Sequence, residues 1–239
     1  MRNSATTNQI EQLDWVQIET DLNQRGWAVV PGLLTPDACH NLSALYQGND
    51  QLFRSRVVMR RHGFGQGEYK YFSYPLPDII QSLRAAIYPK LAPIANHWAE
   101  RLGQDIHYPA DHEAYLRLCH EAGQTRPTPL ILQYEAGDYN CLHQDLYGDL
   151  VFPLQMAVLL SRPEEDFDGG AFIITEQRPR MQSRPHLVPL AQGDAVIFAV
   201  NERPVKGARG YYRVRLRHGV SEVWRGRRHT LGLIFHDAR

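Results

Sequence analysis

His143-Gln144-Asp145, the distant His218, and Arg228-His229-Thr230 beyond it constrain this chain more than any other feature. Two imidazoles and one carboxylate are the set that grips non-haem Fe(II) on one face and leaves other positions open. An arginine a few residues past the distal histidine offers a rigid fork of donors to a carboxylate. Residues so far apart can serve one centre only if the strands that carry them converge. A His-x-Asp triplet alone carries no such message, since two polar side chains on a surface turn would look the same. Its flanks decide how it reads.

Pro129 to Tyr134 is rich in branched apolar residues and reads as a strand, with turn chemistry in Glu135-Ala136-Gly137-Asp138. Phe152 to Leu160 is a second apolar run, short enough for a buried strand. Between them, His143 and Asp145 aim to the same side if the backbone is extended, because side chains two apart share a face. Downstream, Gly193-Asp194 opens the strand Ala195–Val200, and Tyr212 to His218 alternates until it delivers the second histidine. Trp224-Arg225-Gly226-Arg227 reads as a basic turn before a last strand, Arg228 to Phe235. The period of two puts Arg228 and Thr230 on one face and turns His229 away. Of the C-terminal histidines, His186, His229 and His236 fit the distal ligand role less well than His218, which precedes the arginine across a turn. Cys141, two residues before His143, reads as a small packed thiol rather than a fourth ligand.

In the order and spacing of His143-x-Asp145, His218 and Arg228-x-Thr230, the chain resembles the 2-oxoglutarate- and Fe(II)-dependent dioxygenases. Gly26 to Thr35, Asp168-Gly169-Gly170-Ala171-Phe172 and Gln192 to Phe198 are similar to further segments of that family, in the same order. The resemblance implies a double-stranded β-helix (jelly-roll, cupin-like) core over residues 128–239. It also implies Fe(II) on His143, Asp145 and His218, and 2-oxoglutarate on Arg228, Thr230 and Tyr134. Dioxygen would be consumed, succinate and carbon dioxide released, and ascorbate would act as a stimulant. No catalytic side chain is implied beyond the metal centre. Gly67 to Phe72, Gly123 to Pro129, Tyr139 to Gly148 and Arg228 to Gly232 look like a bacterial subfamily proposed to oxidise damaged or modified nucleic acid, as AlkB-type repair enzymes do. A protein (prolyl-type) or small-molecule hydroxylase stays open beside it, as does a cupin-like metal-binding sensor without turnover.

The N-terminal half, residues 1–127, reads as helical support plus a substrate loop. Ile10, Leu13, Ile18 and Leu22 fall near helical spacing, with Gly26 as a stop. Thr35-Pro36-Asp37 starts a second helix, and Asp78 to Leu102 a third, interrupted or kinked at Pro89 and Pro93. Arg54 to Tyr74 combines arginines, glycines and aromatic rings. From it, Arg60 and Arg61 are candidate phosphate contacts, and Tyr69 and Phe72 candidate base contacts. The expected architecture is mainly β with flanking helices (α+β), the helices packed on one sheet of a single domain spanning 1–239.

With 239 residues, 43% of them hydrophobic, the chain can bury a full core. Its 26 basic and 26 acidic residues cancel, so no global field draws it to nucleic acid or membrane. No stretch is long and apolar enough to span a bilayer, and the N-terminus lacks a basic-then-apolar signal pattern. Three scattered cysteines argue against a disulfide scaffold and for a reducing cytoplasm.

Overall fold

Local signals start the helices where the sequence places them. Asp14 caps α1 (Trp15–Arg25) by accepting the Gln17 amide at 3.0 Å, and the helix ends at Gly26, whose φ of 82° is left-handed. Thr35 accepts the Ala38 amide at the start of α2 (Pro36–Gly48). α3 (Asp78–Arg101) runs unbroken through Pro89 and Pro93 rather than stopping at either. Its buried face, with Ile80, Leu83, Ile87 and Leu91, anchors it in the core. That tertiary packing outweighs the local cost of the prolines. α4 (His112–Glu121) closes the helical layer, with Tyr115 stacked on Tyr88 of α3. These elements belong to a computed structural model that describes residues 8–48 and 50–239. The expectation about the chain's first residues therefore lies outside the described ones, as far as residues 1–7 go.

Among the described residues, fourteen strands are numbered in chain order. The larger sheet has the order β1 (Trp27–Val30), β11 (Ala195–Ala199), β7 (Leu154–Leu159), β14 (Val223–Leu233), β5 (Leu130–Glu135), β4 (Glu68–Phe72), β2 (Phe53–Val58), with β8 (Phe167–Gly169) added on β14. The smaller sheet has the order β10 (Arg184–Val188), β9 (Phe172–Gln177), β13 (Gly210–Val220), β6 (Tyr139–His143), β3 (Gly65–Gln66), with β12 (Glu202–Gly207) also on β13. Every residue of β7 and β11 is buried, so the centre of the larger sheet is covered on both faces. β13 instead alternates exposed and buried through Arg213–Leu216, with water on one side. Phe172 and Phe198 meet across the gap at 5.2 Å between ring centroids. The result is the expected double-stranded β-helix with helices on one sheet.

Two further expectations are corrected. Arg54 to Tyr74 is not a loop but supplies β2, β3 and β4, so strands from the N-terminal half complete both sheets. Lys70 sits buried in β4 because its ammonium donates to Asp50 (2.7 Å) and to the Tyr46 carbonyl (2.8 Å). Trp224 to Arg227 is not a turn either, since β14 runs from Val223 without a break. Its strand changes partners there, from β8 to β5 and β7, at Gly226. Only glycine fits that place: φ is 80° and a Cβ would stand 2.0 Å from the Asp166 carbonyl oxygen. Among the described residues, no helix is long and apolar enough to cross a membrane.

Candidate metal centre

β6 ends at His143, and the chain leaves the strand with Asp145 still turned inward. β13 brings His218 directly opposite His143, and the two rings lie 4.2 Å apart. One donor atom from each of His143, Asp145 and His218 falls within 4.8 Å of the others. The His143 Nδ1–H donates to the Cys141 carbonyl at 2.8 Å, which leaves its Nε2 lone pair free and 3.5 Å from Asp145 Oδ1. His218 Nε2 lies 3.3 Å from Asp145 Oδ2. Its ring is set by packing, 4.6 Å from Phe198 and stacked on Phe172. Both lone pairs and the carboxylate therefore face one point, the donor set and facial geometry that suit Fe(II).

Two further side chains hold the carboxylate. The Tyr147 hydroxyl donates to Asp145 Oδ1 and the Gln155 amide to Oδ2, each at 2.7 Å. The same amide nitrogen lies 3.2 Å from His218 Nε2. Burial pushes the Asp145 carboxyl up, but its contacts with the His143 and His218 rings outweigh it and hold the carboxyl well below its usual range. Burial also pulls both histidines down, and the charge of His143 adds to this at His218. At His143 the Asp145 contact prevails and raises the net value.

A cavity of about 200 Å³ joins this cluster to Tyr134, Arg228 and Thr230. In the β14–β5 register Arg228 stands opposite Tyr134, both side chains buried. Arg228 is 1% exposed, yet no carboxylate pairs with it among the described residues. One nitrogen donates to the Thr230 hydroxyl, and Nε has no partner. Tyr134 and Phe167 present ring faces 5.7 Å from the guanidinium carbon. Burial pulls the Arg228 pKa down to about 10. A buried cation without an anion costs several kcal/mol unless a ligand completes it. The residues thus fit both a divalent metal and a dicarboxylate that reaches from it.

Not every expected substrate residue reaches this cavity. Tyr69 lines it. Phe72 does not: it is fully buried and packs on Phe53, 4.8 Å away, because its strand position turns it into the core. Arg60 and Arg61 sit on an exposed 3-10 turn (Met59–Arg61) and line no part of the cavity. Cys141 is exposed rather than packed; it contributes its carbonyl, not its thiol, and its side chain lies outside the ligand cluster. His236 accepts the Phe152 amide in the core, and His229 contacts Gln133. Gln155, Tyr147, Asn140 and Phe64 belong to the site without having been singled out. For Gln155 the signal was present, as the one polar residue within the apolar run 152–160.

Solved structures share this fold. A prolyl-4-hydroxylase of Pseudomonas putida aligns over 94% of this chain and 99% of its own, with a TM-score of 0.55 and 14% identity. A protein of the 2OG-Fe(II) oxygenase family from Burkholderia pseudomallei aligns over 95% and 94%, with a TM-score of 0.52 and 15% identity. The fold is therefore that of the 2-oxoglutarate/Fe(II) oxygenases. The model of the Oxygenase-NA family, described as an oxygenase catalysing oxidative methylation of damaged DNA, matches residues 67–238. Over 167 residues, 70% of this chain and 72% of the other, it is 49% identical to the uncharacterized protein Rv2227 of Mycobacterium tuberculosis. The chain belongs to the Oxygenase-NA family and is an oxidoreductase.

Proposed function

We propose that the chain is an Fe(II)- and 2-oxoglutarate-dependent oxygenase acting on modified or damaged nucleic-acid bases in the cytoplasm, with residues 1–239 as one catalytic domain. The observation that carries the cofactor reading is Arg228, a buried cation with no carboxylate partner, in the same cavity as a two-histidine, one-carboxylate cluster. A metal-binding module without turnover has no need of such an anchor. His143, Asp145 and His218 would hold the iron, and Arg228 with Thr230 and Tyr134 the far carboxylate of 2-oxoglutarate. When bound, this pair with dioxygen supplies the oxidation: one oxygen atom enters a substrate C–H bond, and the other leaves in succinate as carbon dioxide is lost.

The chain's own residues position and shield. Tyr147 and Gln155 keep Asp145 ionised and fixed, so it needs no reorganisation when charge changes nearby. Phe172, Phe198, Val220 and Ile234 wall the cavity with apolar surface and exclude water. A centre enclosed in this cavity cannot reach a base stacked within a duplex, so the base must arrive single-stranded or flipped out. The family to which the chain belongs supports the nucleic-acid assignment.

The test is a turnover screen, with Fe(II), 2-oxoglutarate and ascorbate, of methylated oligonucleotides against proline-containing peptides, read by mass shift and succinate. Oxidised oligonucleotide is the expected result. Oxidised peptide beside untouched oligonucleotide would replace the substrate reading by protein hydroxylation, and absence of succinate under every condition would sink the oxygenase reading itself.

A further inference from the structure

Phe64 is the ring at the mouth of the cavity, and it is 48% exposed. It stacks on His62 with centroids 5.3 Å apart and planes 23° from parallel. The backbone holds it in place: its carbonyl accepts the Cys141 amide at 2.9 Å, and its amide donates to the Met59 carbonyl at 3.2 Å. The ring is thereby tied to the strand that ends in His143.

Free cations flank it. Arg61, in the turn just before, is exposed and has no carboxylate partner among the described residues. On the other side of β6, a polar groove adjoins the cavity, with Gln144 lining both. Arg217 lines that groove, exposed and likewise without a carboxylate partner among the described residues. β3, β6 and β13 are neighbours in the smaller sheet, and their registers set Phe64 beside Cys141 and Arg217 beside Gln144, so the path crosses two strand spacings and runs about three residues along them, roughly 14 Å in all. At the 3.4 Å rise of stacked bases that is about four nucleotides.

We propose that single-stranded nucleic acid crosses the cavity mouth with a base stacked on Phe64, while Arg61 and Arg217 take phosphates on either side. This rests on the nucleic-acid reading above and adds the surface and the residues. An exposed ring beside a stacked partner is a platform for any base face. Unpaired guanidiniums on both flanks suit a polyanion that passes over the mouth, not a neutral peptide. Arg60 is different: it lines a separate polar hollow with Arg56 and Glu68 and should take no part.

The experiment is fluorescence anisotropy of a short labelled single-stranded DNA with the enzyme loaded with Mn(II) and 2-oxoglutarate, so that no turnover occurs. Phe64→Ala is expected to weaken binding about ten- to a hundredfold, with Phe64→Trp restoring it. Arg61→Ala and Arg217→Ala should each lower the slope of log affinity against log salt by about 0.7, and Arg60→Ala should leave it unchanged. Wild-type binding that none of the first three alanine changes alters would overturn this surface and leave the nucleic-acid reading standing. No binding by the wild type, in single-stranded or duplex form, would overturn both.

Discussion

Asp145 holds the centre together through contacts that no ligand motif announces. Its two oxygens accept from Tyr147 and Gln155, and the Gln155 amide also touches the His218 ring. Partners of this kind fix the orientation and charge of a ligating carboxylate, and their loss typically costs ten- to a hundredfold in metal affinity. Gln155→Leu keeps the volume and removes the donor. Calorimetric titration with Mn(II) is expected to show affinity lower by about that factor, with the melting temperature of the apo chain little changed. An unchanged affinity would remove Gln155 from the site. The candidate ligands were legible through their order along the chain and the strands that flank them. The residues that orient them were not, because a glutamine in an apolar run has no chemistry until a neighbour is known.

β14 shows how an element turns alternation into function. Arg228 and Thr230 face the cavity, while Arg227 turns outward and pairs with Glu135 at 2.7 Å, as the period of two required. Arg227→Ala should therefore leave the 2-oxoglutarate requirement unchanged, whereas Arg228→Ala raises it. Gly226 fixes where that alternation begins. Gly226→Ala places a Cβ against the Asp166 carbonyl at a φ of 80°, a strain of about 1–3 kcal/mol. Urea unfolding is expected to show a loss of that size; full stability would mean the strand start can shift freely. The same strand misled the sequence reading, since Trp224-Arg225-Gly226-Arg227 has turn composition. What extends it is pairing with β8, a contact distant in sequence. β2 and β4 were missed for a like reason: their arginines and Lys70 suit a sheet only once Asp50, Glu68 and Tyr46 receive them.

Across the whole molecule, the helices cover the larger sheet and the smaller sheet keeps one face in water, an arrangement that the apolar runs made legible. Its stability should depend on pH through histidines buried as neutral rings. Burial pulls His112 down to about 3 and His236 to about 4, from an ordinary 6.5. Below about pH 6.5 the unfolded chain binds protons that these folded sites refuse, so stability falls progressively as pH drops toward 4. Melting temperatures measured from neutral pH downward should decline, and a flat profile would contradict the buried neutral state. The central claim is that one cavity holds iron at His143, Asp145 and His218 and 2-oxoglutarate at Arg228. Its most direct measurement is an anaerobic 2-oxoglutarate titration, followed by the visible charge-transfer absorption of its complex with Fe(II). The wild type should saturate at one equivalent. Asp145→Ala should show no band, and Arg228→Ala should need about ten to a hundred times more 2-oxoglutarate, the loss of one charge-assisted contact. A band of wild-type affinity in Asp145→Ala, or no change in Arg228→Ala, would contradict the account.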